Sequence, residues 1–175
     1  VAIVVSIYRR ALDAVAEGSF VPQQSDMEDL AIAFSRGFTS GYLCGDRGSA
    51  LMGRNRPDNR GLFIGTIHSC QGQVIRVAAA GDRVPAPGDG LVGIDPADRK
   101  EYGFVLRTIP EKIGGDIIIR QPTGCRPGME LYLTRSVSLE RSAAALRNTP
   151  GPAARYPIPI DLTLIIGDDQ APVIA

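Results

Sequence analysis

The stretch Leu62–Ala79, LFIGTIHSCQGQVIRVAA, decides how the rest of the chain is read. LFIGTIH and QVIRVAA are rich in β-branched and aromatic residues, and SCQGQ separates them with a turn centred on Gly72. Working outward, LVGI (91–94), YGFVLRTI (102–109), DIIIRQ (116–121) and ELYLT (130–134) repeat this grammar, each flanked by Gly, Pro or Asp. Six short strands, spaced by about 10–15 residues, favour a small barrel or sandwich. APGDGLVGI and RPGMELYLT echo one another: in each, a Pro-Gly turn is followed closely by a strand.

Upstream the pattern is helical. Val1, Val4, Val5, Tyr8, Leu12 and Val15 mark one face of a helix over residues 1–17; Arg9 stands four residues before Asp13, and Gly18 stops the helix. Ser25-Asp26-Met27-Glu28 has the form of a capping box, predicting a second helix from Ser25 to about Arg36. In FSRGFTSGYL, Gly37 is expected to end that helix in the left-handed conformation. Phe38, Tyr42 and Leu43 are expected to tuck between the first helix and the strands, with Gly41 allowing close approach. The four-residue spacing also fits a continuous helix with paired aromatic and glycine stripes. Residues 44–60, CGDRGSALMGRNRPDNR, read as a loop. SVSLERSAAALR reads as a short helix capped by Ser136 or Ser138.

The expected organisation is a helical segment (1–43), a linker (44–60), a small β-barrel with a short C-terminal helix (61–147), and a further linker with opening strands (148–175). The fold class is mainly β with N-terminal helices, α+β. Val1 opens inside a helical pattern and APVIA closes on an apolar run, so the chain is expected to be a piece of a larger protein.

The chemistry is sparse. Formal net charge is zero, which argues against a dedicated nucleic-acid or membrane-surface module. No apolar run approaches about 18 residues, and no signal peptide is present, so a soluble, cytoplasmic chain without a membrane partner is expected. Cys44, Cys70 and Cys125 lack C-x-x-C spacing, so reduced, partly buried thiols are expected. His68 is the sole histidine, and on a regular strand it would share a face with Cys70. No third residue stands out to orient its ring as a catalytic dyad would need. The three cysteines and His68 could bind a metal only by converging in space. GDRGSALMG lacks the Gly-Lys-Ser/Thr ending of a phosphate loop, and neither G-x-G-x-x-G nor G-x-S-x-G occurs. Asp82, Asp89, Asp95 and Asp98 sit in turns, where Asp serves local hydrogen bonding. No catalytic residue, metal ligand or cofactor-binding residue is assigned.

YRRALD on the first helix, FSRGFTSGYL after the second, and NRGLFIGTI followed by GDGL together resemble the collagenase-like peptidase family U32, in order from Val1 to about Leu139. The resemblance implies that residues 1–43 hold the last helix of a catalytic TIM barrel and its connector. The β-barrel after it would resemble domain two of elongation factor Tu. The family's chemistry, including any iron–sulfur cluster, would belong to the preceding catalytic domain, and none of its catalytic residues maps onto this chain.

Two functional readings follow. In the first, the chain is a non-catalytic accessory region that positions substrate or packs on its own N-terminal catalytic domain. Arg36, Gly37, Phe38, Gly41 and Tyr42 are then the candidate interdomain contacts. In the second it is an RNA-binding module of an RNA-hydroxylating relative, with Arg47, Arg54, Arg56 and Arg60 as candidate phosphate contacts. The parent's substrate would accordingly be protein or RNA. An independent small-molecule enzyme is disfavoured by the lack of any convergent site.

Overall fold

The computed structural model describes residues 1–35, 37–39, 41–45, 47–48, 59–148, 164–165 and 173–174. The chain opens with helices α1 (Ala2–Ala16) and α2 (Gln24–Phe34), followed by a 3-10 turn at Gly41–Cys44. Seven strands come next: β1 (Leu62–Gln71), β2 (Val74–Ala79), β3 (Gly90–Ile94), β4 (Glu101–Val105), β5 (Glu111–Ile113), β6 (Asp116–Arg120) and β7 (Glu130–Arg135). Helix α3 (Val137–Asn148) follows, and β8 (Leu164–Ile165) pairs with β9 (Val173–Ile174) in a separate antiparallel sheet. The architecture is α+β, as expected.

The sheet order is β4-β3-β7-β1-β2-β6-β5, with antiparallel pairing throughout. Gly72, with φ +58°, makes the expected turn, which is a two-residue one with Gln71 facing Val74 across it. Inward residues Ile67, Val77, Leu91, Ile117, Ile119, Leu131 and Leu133 are almost wholly shielded from solvent. Burial of each such side chain contributes about 1.5–3 kcal/mol, and this core holds the sheet together.

The expected barrel is not closed by strand pairing. The edge of β6 that closure would require is occupied by β5, a short strand absent from the sequence expectation. Gly114-Gly115 forms the two-residue connection between them, with Ile113 facing Asp116. At this seam a buried side chain replaces a ladder: Gln121 Nε2 donates to the Val105 carbonyl (3.0 Å), and its Oε1 accepts from the Arg107 amide (2.7 Å).

The helices depart from expectation in three ways. Helix α2 begins at Gln24, and no side chain caps it. The Glu28 carboxylate faces Arg83 at 3.9 Å instead of reaching back to close a capping box, and Asp29 pairs with the same guanidinium at 3.1 Å. The helix also stops at Phe34 with Ser35 extended, which excludes a continuous helix through the glycines. Finally, the face of α1 marked by Val1, Val5, Tyr8, Leu12 and Val15 points to solvent. Ile7, on another side, is the residue that α1 buries, and α1 packs on α2 and α3.

Candidate functional site

The junction between α2 and the sheet is organised by Asn59. Its Oδ1 accepts from the Ser35 amide (2.8 Å) and the Gly61 amide (3.2 Å). Its Nδ2 donates to the carbonyls of Ile32 (3.3 Å) and Thr134 (3.4 Å). The Ser35 amide would otherwise continue the helix, and the Ile32 carbonyl is one of the acceptors a helix end leaves open. One amide side chain therefore stops α2 and ties it to the ends of β1 and β7. The Arg60 amide adds a bond to the Ser35 carbonyl at 2.7 Å. Gly61 is needed here, because a Cβ would lie 2.4 Å from the Leu133 carbonyl oxygen.

This junction shapes an open groove of about 400 Å³, lined by Ser35, Phe38, Arg60, Phe63, Glu130 and Tyr132 among others. Strand alternation sends Leu62, Ile64, Leu131 and Leu133 inward and leaves Phe63, Glu130 and Tyr132 on the outer face. Phe63 and Tyr132 are cross-strand partners, their ring centroids 5.3 Å apart at 52°. The Tyr132 hydroxyl donates to Glu130 Oε2 at 2.8 Å. Arg60 forms no ion pair among the described residues.

Of the candidate interdomain residues, Gly37 (φ +107°) and Phe38 line this groove, whereas Gly41 (φ +60°) and Tyr42 belong to the 3-10 turn beyond it. The expected tucking of Phe38, Tyr42 and Leu43 is not seen: they are 56%, 81% and 97% exposed. Asn59, rather than Gly37, ends the helix that leads to them, so the segment leaves outward from an extended Ser35. Of the four candidate arginines, Arg60 lines the groove and Arg47 is exposed. Arg36, Arg54 and Arg56 lie outside the described residues. Sequence reasoning missed Asn59, Phe63, Glu130 and Tyr132. Large rings at outward positions of LFIGTIH and ELYLT were the available signal.

The Cys-His alternative comes apart at a β-bulge. The register of β1 against β2 shifts between Ile67 and Ser69, so His68 turns outward while Cys70 packs against the core. His68 Nε2 lies 2.9 Å from Asp116 Oδ2, and Cys70 Sγ donates to the Cys125 carbonyl at 3.5 Å. Burial pushes both thiols above their ordinary pKa. At Cys125 the Thr123 hydroxyl opposes that rise and Cys70 adds to it. Neutral, desolvated thiols are poor nucleophiles and poor metal ligands. Cys44 sits exposed on the 3-10 turn, and no group of three potential metal ligands gathers among the described residues. These cysteines therefore do not fit the ligand set of an iron–sulfur cluster. No helix among the described residues is long and apolar enough to cross a membrane.

What fold and site define is an α+β unit with an open, aromatic-lined groove at its helix–sheet junction. Residues 1–53 match the family model described as Peptidase family U32, in keeping with a fragment of a protein from that family. The matched residues include α1, α2 and the 3-10 turn; the sheet lies beyond them. No curated protein matches the chain.

Proposed function

We propose that this chain is a non-catalytic accessory region of a U32 peptidase-like enzyme, joined through α1 to a catalytic barrel that precedes it. The observation carrying this reading is the second apolar face of α1. Val5, Tyr8, Leu12 and Val15 are each 58–62% exposed and Val1 fully so, at a 4-3-4-3 spacing that forms one stripe. A helix apolar on two sides belongs inside a larger body, and this one lies within the residues that match the family. Phe38 and Tyr42, also exposed, offer further rings to such a neighbour, and Arg36, Gly37 and Gly41 of the same sequence segment remain candidate contacts. The enzyme's own catalytic domain is thus the first partner, and its location would be cytoplasmic.

The test has two arms. The chain alone should cleave neither gelatin nor a quenched collagen-like peptide, and turnover by it would refute the reading. Supplied in trans, a U32 catalytic barrel should bind the chain. Tyr8→Asp with Leu12→Asp should weaken that binding at least about tenfold, as loss of central apolar anchors does. Indifference to both changes would remove α1 as the contact.

A second reading, RNA binding, is favoured by a separate observation. Arg60, which forms no ion pair among the described residues, lines the same groove as the Phe63–Tyr132 pair, of which Phe63 is exposed. It ends a stretch that also carries Arg47, Arg54 and Arg56 against Asp46 and Asp58.

A further inference from the structure

We infer that the groove between α2 and the outer face of β1 and β7 is a subsite for one unstacked base of single-stranded RNA, selective for a base that presents an exocyclic amino group. The inference rests on the second reading above and gives it a place and a chemistry.

Three features converge. First, Phe38 is 56% exposed and Phe63 39% exposed, and both line the groove, so two aromatic rings are available where a base can stack. The platform continues sideways, because Val92 of β3 is the register partner of Tyr132 on its other flank. Second, Arg60 supplies a positive charge at the rim and forms no ion pair among the described residues, which suits a phosphate linked to the stacked nucleotide. Third, Glu130 presents a carboxylate whose Oε2 is held by the Tyr132 hydroxyl, while Oε1 has no hydrogen bond among the described residues. An oriented carboxylate beside a stacking platform accepts from the amino group of cytosine, and it repels the O4 oxygen that uracil offers at the same position. A purely apolar occupant would leave Arg60 and the Glu130 Oε1 atom unsatisfied, at the cost that desolvated charges carry.

The experiment is fluorescence anisotropy of the chain with labelled oligo(C) and oligo(U) of about twelve nucleotides at low salt. Oligo(C) should bind about tenfold more tightly than oligo(U), and Glu130→Gln should shrink that preference to less than about twofold. Phe38→Ala, an exposed position remote from the core, should weaken oligo(C) binding about tenfold with an unchanged urea midpoint. Arg60→Gln should lower the salt slope by about 0.7, the share of one phosphate on a single strand. Binding that persists unchanged in all three variants would overturn the groove assignment and leave RNA binding standing elsewhere. Failure of the wild-type chain to bind either oligonucleotide would overturn the RNA reading itself. Displacement of oligo(C) by a gelatin-derived peptide at equal concentration would overturn the inference by assigning the groove to a protein ligand.

Discussion

The Ala86–Asp89 and Arg126–Met129 turns share a backbone and differ in the chemistry of their fourth residue. In both, Pro-Gly occupies the middle and the fourth amide donates back to the first carbonyl, at 3.0 Å and 3.3 Å. Each then pairs with a distant segment in the same way. Gly88 donates to the Leu106 carbonyl and Leu106 donates to the Asp89 carbonyl. Gly128 and Met129 do the same with Ile67. Even the side chains correspond, since Asp89 Oδ2 accepts from the Ala86 amide at 2.9 Å and Met129 Sδ from the Arg126 amide at 3.2 Å. The turn needs an acceptor at its fourth side chain, and a thioether supplies one weakly. A carboxylate has a second oxygen, and Asp89 Oδ1 uses it on the Val137 amide at 2.9 Å, the first residue of α3. Thus one turn closes a strand end, and the other also hangs α3 on the sheet, which sets the surface against which α1 packs.

Removing the carboxylate should break the comparison most sharply. Asp89 is buried, and Asp89→Ala leaves the Ala86 and Val137 amides without their acceptor. We expect a loss of about 2–4 kcal/mol, the combined scale of a charge-assisted bond and a helix cap. Met129→Leu, volume-conserving in a core position, should cost less than about 1.5 kcal/mol. Asp89→Asn keeps one acceptor oxygen and should fall between them. Urea midpoints at constant slope measure all three; equal losses for Asp89→Ala and Met129→Leu would mean that α3 does not depend on the cap.

The glycines sharpen the same contrast. Gly88 and Gly128 have φ of +95° and +89°, so alanine at either is strained by about 1–3 kcal/mol. A Cβ on Gly88 would also stand 2.9 Å from Val137 Cγ2, whereas one on Gly128 meets nothing within 4 Å. Gly88→Ala should therefore be the more damaging, by about 1 kcal/mol in urea unfolding. Equality would show that the start of α3 shifts freely away from the turn.

Both Pro-Gly turns, the Gly72 hairpin and the six longer strands were legible because their signals are local: a turn dipeptide beside an apolar run. The strand that closes off β6 was not, since Glu111-Lys112-Ile113 follows a proline and carries two charges, leaving no alternation to detect. The ends of α2 were misread for a related reason. Arg83, distant in sequence, draws Glu28 away from its capping role, and Asn59 ends the helix from 24 residues downstream. The apolar face of α1 was legible as a pattern, but not its exposure, because periodicity names a face without naming its neighbour. In the groove, the arginine was visible as part of a basic stretch. Phe63 and Tyr132 were visible as rings within strands but not as neighbours on an outer face, because which strand positions face outward depends on register and bulges.

The smallest effect concerns the second tie on α3, an exposed one. Arg135, at the end of β7, donates twice to Glu140 in the first turn of the helix, at 2.6 Å and 2.7 Å. This bidentate bond holds the Glu140 carboxyl below its ordinary pKa, with the charge of Arg135 assisting and desolvation opposing. A depressed folded pKa means that the pair's contribution is fully present above the unfolded value of about 4.3 and is lost as pH falls through the folded one. Glu140→Gln should therefore lower the urea midpoint slightly at neutral pH, and the gap from the parent chain should close below about pH 4. Because both side chains are about half exposed, added salt at neutral pH should shrink the gap as well. A gap that survives both acid and salt would show that Glu140 acts through packing, leaving the buried Asp89 carboxylate as the electrostatic anchor of α3.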